Sequence, residues 1–420
     1  MKVLMLSTDE NILREGSEAR RRMEEYGALF SELHIVVLAR QNYQLPRPPS
    51  QAWAWLRRCG RAITPPAMQG QALRAGNYQK EGNLFVHPTN SRNKLVALWG
   101  AYKIGKKILK DNQVIDPSIR WDDRVAHNWV ITAQDAFEIG LVSCLLKKKF
   151  VVPLQLQVHT DFLSSYFWRE SLKNKIRVIL AKWLLPRADG VRVVSERIRH
   201  GIITNYHLPI TKVSTLPIFV DTAKIQDAAI KTDLHKKYPQ FETIVLMASR
   251  LTREKNIGLA ISAMGEIVKK YPKTGLVVVG SGPERSFLNL QPTTYNLQAN
   301  VVFEDWSDDL ASYYKTADIF LLTSNYEGYG RTAIEAMAGG CVVVMTDVGL
   351  AGDIIKHGEN GLVFPVGDKI ALVNVLADLI VDGQKRRALG DEAREAVAKL
   401  MKKEEYLKRY GELLEEITND

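Results

Sequence analysis

Short apolar runs alternate with helix-period segments along nearly the whole chain, twice over. This pattern restricts the fold more than anything else in the sequence. The first series of strand candidates is Lys2–Ser7, Leu33–Leu38, Trp129–Ala133, Val151–Val158 and Gly190–Val194. The second is Thr243–Ala248, Leu276–Val279, Val301–Phe303, Ile319–Thr323 and Val342–Thr346. Between them lie helix patterns such as Ile257–Lys270, Asp309–Lys315 and Thr332–Gly339. Strands buried on both faces read as continuous apolar runs, and strands that alternate with helices pair in parallel. Two such series predict an α/β chain of two Rossmann-like, doubly wound domains, with a ligand in the crevice between them.

The boundary falls near residue 215, where the strand-like Lys212–Pro217 gives way to polar, charged sequence before the strand at 243. The expected domains are therefore 1–215 and 216–400, with a helical segment, 401–420, after them. Met1–Ser7 is too short an apolar run for a secretory signal and reads as the first strand. No apolar stretch reaches the roughly 18–20 residues that a membrane-spanning helix needs. Cys59, Cys144 and Cys341 are far apart and odd in number, which argues against a disulfide framework and for a reducing compartment. No Cys/His spacing predicts a structural metal.

The formal net charge of +10 is local. Residues 41–110 hold twelve Lys or Arg against a single acid, Glu81, so the remainder of the chain is close to neutral. That segment also carries Trp53, Trp55 and Trp99, and its first part, 41–80, is rich in Pro and Gln and reads as an excursion from a compact fold. Cationic stems beside tryptophans suit an anionic membrane surface. A solvated basic face is the plainer alternative. No zinc-finger, RNP or helix-turn-helix signature accompanies the charge, so nucleic acid is not an expected partner.

The stretch richest in chemistry is Asn325-Tyr326-Glu327-Gly328-Tyr329-Gly330-Arg331-Thr332-Ala333-Ile334-Glu335-Ala336-Met337-Ala338. It follows the strand Ile319–Thr323, so Glu327 sits where a parallel strand ends, the place where open α/β sheets bind ligands. Gly328 and Gly330 let a ligand approach the backbone, and the helix that starts after them turns free N–H groups toward an anion such as a phosphate. Glu335, one turn on, is followed by small residues and is open to sugar or ribose hydroxyls. After the strand Thr243–Ala248 comes Ser249-Arg250-Leu251-Thr252-Arg253-Glu254-Lys255-Asn256, in which Arg250 and Lys255 can converge on one anion. Gly280-Ser281-Gly282-Pro283 reads as a tight strand-to-helix turn, since Arg285 stands where a dinucleotide fingerprint needs its third glycine.

Glu327-x7-Glu335, with its flanks Ala317–Ser324 and Ala336-Met337-Ala338, resembles the Glu-x7-Glu motif of glycosyltransferase family 4, and Gly358-Glu359-Asn360-Gly361 resembles the turn that follows it there. Cys341-Val342 departs from the family's usual Cys-Pro. The resemblance implies a GT-B fold, retention of configuration and a nucleotide-diphosphate sugar as donor, of UDP or GDP type. It implies that Glu327 contacts the transferred sugar, that Glu335 contacts the ribose, and that Arg250 and Lys255 form the diphosphate pair. Gly328, Tyr329 and Gly330 would complete the donor site.

By the same resemblance, His159, at the end of the strand Leu154–Val158, is a second sugar-contacting candidate. Gly16 falls in the loop that relatives place beside the diphosphate, although their loop has more glycine. The acceptor would be a glycan or a lipid-linked sugar, and the final helix would cross back onto the first domain. With no Asp-x-Asp in the chain, neither metal nor other cofactor is expected. Other readings on this scaffold are a sugar-nucleotide epimerase, a phosphorylase, and a binding protein without activity.

Overall fold

The computed structural model describes residues 1–40, 78–111 and 128–418. Trp53, Trp55, Cys59 and the basic residues from Arg47 to Arg74 lie outside the described residues. Two parallel-sheet α/β layers account for the rest.

The first sheet has eight strands: β1 (Lys2–Ser7), β2 (Glu32–Val37), β3 (Gln79–Glu81), β4 (Leu84–Pro88), β5 (Trp129–Ala133), β6 (Leu154–Val158), β7 (Gly190–Val193) and β8 (Val213–Thr215). Their spatial order is β3-β4-β2-β1-β5-β6-β7-β8. The sequence pattern missed β3 and β4. β4 alternates buried and half-buried residues and lies within the basic stretch, so its apolar period is diluted. β3 pairs antiparallel with β4 and sits at the sheet edge, where one face meets water.

The second sheet has six strands: β9 (Thr243–Ala248), β10 (Thr274–Val279), β11 (Val301–Glu304), β12 (Ile319–Leu322), β13 (Val342–Thr346) and β14 (Leu362–Phe364). They are ordered β11-β10-β9-β12-β13-β14, with every neighbouring pair parallel. The chain thus runs outward from β9 through β10 and β11, then returns to β12 on β9's other edge. Between β9 and β12 the direction of winding reverses, and such a reversal point is where open α/β sheets bind ligands. Alternate strand residues, Val245, Met247, Leu276, Val278, Ile319, Leu321, Val342 and Val344, pack on one face. Onto them the helix Ile257–Lys270 lays Ile257, Ala260, Ile261, Met264 and Ile267, while the helix Lys369–Val381 lays Leu372, Leu376 and Leu379. Both sets follow the helical period.

The chain divides into two compact units. One is Met1–Gln157 with Ile179–Val191 and Leu407–Asp420, and the other is Val158–Val178 with Arg192–Tyr406. This partition differs from a single cut near residue 215. Within the first unit, the helix Lys403–Glu416 contributes its residues from Leu407 onward, with Tyr410 stacked on Tyr26 at 4.2 Å and the Leu413 carbonyl accepting from Gln155 Nε2 at 3.2 Å.

A buried imidazole on β2, His34, meets a half-buried one on β4, His87. His34 Nδ1 lies 3.1 Å from His87 Nε2, and its Nε2 lies 3.1 Å from Glu32 Oε2. His34 also stacks on Phe85, and Lys2 pairs with Glu32. Burial, and then the neighbouring His34, push the His87 pKa down to about 4. Burial lowers His34 as well, against the pull of Glu32. Between 6.5 and 4 the native state therefore binds fewer protons here than the unfolded chain, so acid favours unfolding. We predict that stability is unaffected by this pair above pH 6.5 and falls below it, by about 3 kcal/mol from His87 once pH 4 is reached. His87→Gln should flatten that fall, as urea titrations at a series of pH values would reveal. An unchanged pH slope in the variant would refute the assignment.

Candidate functional site

The loops leaving β9 and β12 meet at the reversal point of the second sheet. Side chains and backbone knit them together. Thr323 Oγ1 donates to the carbonyls of Lys255 and Asn256 at 2.9 and 3.0 Å, and the Asn325 N–H donates to the Glu254 carbonyl at 2.7 Å. Asn256 takes a left-handed φ of 46°, which ends the turn and starts the helix Ile257–Lys270. That turn carries Lys255 toward β12.

Lys255 Nζ forms an ion pair with Glu327 Oε1, and the two side chains are only 14% and 12% exposed. Ser324 Oγ donates to the same carboxylate oxygen at 2.7 Å, and the Ser324 carbonyl is in turn held by Thr346 Oγ1. Glu327 is thus fixed by a cation and a hydroxyl from the two loops that follow β9 and β12. Arg250 behaves differently. It is held to Glu254 at 3.1 Å, but three-quarters of its side chain is exposed, so it can swing to a bound anion. Glu254 is itself anchored by the Thr252 hydroxyl.

Gly330 has a φ of +100° and caps the helix Arg331–Ala338 without a side-chain hydrogen bond. The Ala333 N–H turns back to the Gly330 carbonyl at 2.9 Å, and the positive end of the helix dipole lies at the Gly328–Gly330 loop. On this helix Glu335 accepts from Arg331 Nε at 2.7 Å and from the Tyr314 hydroxyl at 2.9 Å. Tyr329 is buried at 4% exposure, so its side chain packs inward and only its main chain borders the loop surface.

Gly328 has the tightest constraint. A Cβ built on it would lie 1.9 Å from the His159 carbonyl oxygen. The loop bearing Glu327 thus rests, backbone on backbone, against the residue that ends β6, which brings His159 beside the Glu327 loop. His159 is half-buried and has hydrogen-bond or contact partners of its own. Gly280 is packed in the same way, with a Cβ 1.9 Å from the Ser249 carbonyl oxygen, so its turn abuts the β9 loop. Glu327, Glu335, Arg250, Lys255, Gly328, Tyr329, Gly330 and His159 all belong to one compact unit. Gly16 belongs to the other, exposed, with a φ of +72° and no atom near its Cβ position.

Sequence reasoning did not single out three groups here. Tyr314 is fully buried in the helix Leu310–Thr316 and reads as a core aromatic, yet its hydroxyl orients Glu335. Tyr326 donates to Glu170 Oε2 at 2.5 Å and meets Phe167 edge to face, which ties the site loop to the helix Ser165–Glu170. Burial, and then Glu170, push its phenol well above the ordinary value. Arg197 pairs with Asp347 and donates to the Ala351 carbonyl, close to Asp353, whose carboxyl is raised mainly by burial. None of these pairs has a spacing signal, because each joins residues more than twenty positions apart.

A carboxylate locked to a cation, an exposed arginine and a helix start beside them together suit a ligand that combines hydroxyls with a diphosphate. Residues 231–396 match the family model for glycosyl transferases group 1, and residues 121–224 match that for glycosyltransferase family 4. N-acetyl-alpha-D-glucosaminyl L-malate synthase of Bacillus anthracis is 27% identical over 60% of this chain and 64% of its own. Alpha-monoglucosyldiacylglycerol synthase of Streptococcus pneumoniae is 29% identical over 51% of each. The chain thus spans between half and two thirds of the length of these relatives.

Among solved structures, sucrose-phosphate synthase from Thermosynechococcus elongatus superposes with a TM-score of 0.71 at 20% identity, covering 100% of this chain and 99% of its own. Anabaena HepE in complex with UDP gives 0.68 at 18%, covering 99% and 100%. The two matched models take in more than half of the residues, and the solved neighbours are covered over almost their full length. The chain belongs to glycosyltransferase family 4 and has the GT-B fold.

Proposed function

We propose that the protein is a retaining glycosyltransferase that moves a sugar from a UDP- or GDP-type donor to a glycan or lipid-linked acceptor without a metal. The observation that carries this reading is the Lys255–Glu327 pair at the reversal point between β9 and β12, with Arg250 exposed beside it.

Breaking a sugar–diphosphate bond leaves negative charge on the departing phosphate oxygens. Lys255 and Arg250 stabilise that charge, and the start of the helix Arg331–Ala338, beside Gly328 and Gly330, adds the positive end of its dipole. Two cations in these positions do the work a divalent ion would otherwise do, which is why we propose metal independence. Glu327 and His159 orient the sugar through its hydroxyls, and Glu335 holds the ribose diol. Gly16, on the other unit, is a candidate from the family resemblance alone. Retention of configuration is proposed from the family resemblance, and with no side chain of the set in the role of covalent nucleophile, the displacement that gives it is a front-face one assisted by the leaving diphosphate.

The malate synthase and diacylglycerol glucosyltransferase among the relatives are named for a small acid and a lipid, and HepE was solved with UDP. These support a nucleotide-sugar donor and leave a glycan or lipid acceptor as the reading for this chain. Docking on an anionic membrane through residues 41–110 belongs to the same reading. In the described part of that stretch the helix Lys94–Asp111 exposes Leu95, Val96 and Trp99, with Lys103 Nζ 3.3 Å from the Trp99 ring centre. Among the described residues no helix is long and apolar enough to cross a membrane.

A donor screen tests the proposal. The purified protein is incubated with individual UDP- and GDP-sugars, with and without chelator, and free nucleotide diphosphate is measured. Slow release from one donor, indifferent to chelator and lost in Glu327→Ala, is expected. Release of an epimerised nucleotide sugar, or turnover only with inorganic phosphate, would replace the proposal with the epimerase or phosphorylase reading. Calorimetry that detects neither UDP nor GDP binding would overturn it.

A further inference from the structure

The helix Leu172–Leu184 is apolar on two opposite sides, and only one of them is covered. Asn174, Ala181 and Leu184 are buried, which fixes the inward face. Leu172, Ile176, Ile179 and Trp183 recur at i, i+4, i+7 and i+11 and are 74%, 58%, 62% and 44% exposed. At about 100° per residue these four fall within roughly 60° of one another on the helix, a narrow stripe directed away from the core. Single exposed apolar residues are ordinary, whereas four in line on one helix form a patch.

The borders of the stripe are cationic. The helix holds Lys173, Lys175, Arg177 and Lys182 and no acid. By the same helical wheel, Lys173 lies on one side of the stripe and Lys175 and Lys182 on the other. Aromatic residues continue the patch at both ends. Tyr166 and Trp168 are exposed on the preceding helix Ser165–Glu170, Lys175 Nζ lies 5.9 Å from the Trp168 ring centre, and the Arg187 guanidinium lies 4.1 Å from that of Trp183. An apolar stripe edged by long cationic side chains and ended by tryptophans has the composition of a helix that lies in a bilayer surface. The apolar residues enter the acyl boundary, the tryptophans sit at headgroup level and the cations meet anionic headgroups.

We propose that the helix Leu172–Leu184 is a docking surface for an anionic lipid bilayer. Charge decides the occupant. A second copy of the chain packed stripe to stripe would bring like-charged borders together, because a twofold interface pairs each patch with itself. An anionic headgroup layer neutralises the same borders.

The position of the helix adds a consequence that rests on the glycosyltransferase reading. Asn174 Nδ2 donates to Glu170 Oε2 at 3.1 Å, and Tyr326, next to Glu327, donates to the same oxygen. The docked helix is therefore two hydrogen bonds from the loop proposed to hold the sugar.

The full chain is centrifuged with vesicles of phosphatidylcholine alone and of equimolar phosphatidylcholine and phosphatidylglycerol. Binding to the anionic vesicles only, weakened by salt, is expected. Ile176→Ser/Ile179→Ser and Lys173→Glu/Lys182→Glu should each lower the partition coefficient by about tenfold or more. All four positions are exposed, so the variants are expected to fold, and an unchanged circular dichroism spectrum checks this. Their donor hydrolysis in solution should equal that of the parent, which separates failure of this surface from failure of the donor reading. Equal binding by the Ile176→Ser/Ile179→Ser variant would assign any membrane contact to another surface and overturn the proposal. So would absence of binding to anionic vesicles, or a dimer in sedimentation velocity that this variant dissociates.

Discussion

Lys255→Met is expected to lower the rate of sugar transfer by about 10²–10³-fold, the loss typical of removing one preorganised charge from a transition state. The substitution keeps the length and volume of the side chain and removes its charge. Two effects follow from one change. The departing diphosphate loses a fixed cation, and Glu327 is left as a nearly enclosed carboxylate beside the Ser324 hydroxyl. Breaking a pair this buried should also cost about 3 kcal/mol of stability. The double variant Lys255→Met/Glu327→Gln separates the two effects. With no charge stranded, most of the stability should return, while activity should stay low. A double variant that regains activity would show that Lys255 serves the fold alone. Urea titration and the turnover number for donor hydrolysis are the two measurements.

Gly328→Ala should cost about 100-fold in kcat/KM through a different cause. Its Cβ would stand 1.9 Å from the His159 carbonyl oxygen and 2.6 Å from the carbonyl carbon. Ordinary contact begins near 3.4 Å. Backbone lies on both sides of this contact, so no rotamer change relieves it, and the loops must part by more than an ångström. A displacement of that size at a reacting centre is worth about two orders of magnitude in rate. Gly411→Ala is the control. Gly411 lies in the helix Lys403–Glu416, nothing stands within 4 Å of its Cβ position, and alanine favours a helix there. Equal activity of Gly328→Ala and the parent would mean that the contact with His159 is dispensable.

The fold was legible where burial is two-sided. β9, β12 and β13 are continuous apolar runs, and the helix Ile257–Lys270 carries its core face at helical spacing from end to end, so pattern alone located them. It failed where one face meets solvent or the strand is short, as at β3, β4 and β14. The candidate site was legible to the extent that its residues sit in one strand-end loop each. Glu327 and Glu335 follow β12, and Arg250 and Lys255 follow β9. That Lys255 reaches Glu327 was not legible, because it depends on the order of strands in the sheet, with β9 and β12 adjacent although 70 residues separate them. Tyr314 was hidden for another reason. A tyrosine on the apolar face of a helix reads as packing, and only the position of its hydroxyl distinguishes it from phenylalanine. The stripe on the helix Leu172–Leu184 was equally hidden, since an apolar period announces an amphipathic helix without saying which face is covered.

The contacts at Gly328 and Gly280 join main chain to main chain, and this affects how such a sequence can change over time. A contact between side chains ties two positions together, so that each limits what the other can become. A contact between backbones imposes no such tie. Its neighbours are free to diversify, and the whole restriction falls on the absence of a single carbon atom. Lineages descended from this chain can therefore rewrite the surfaces of the β9 and β12 loops, and with them the choice of ligand, while the spacing of the loops stays where it is.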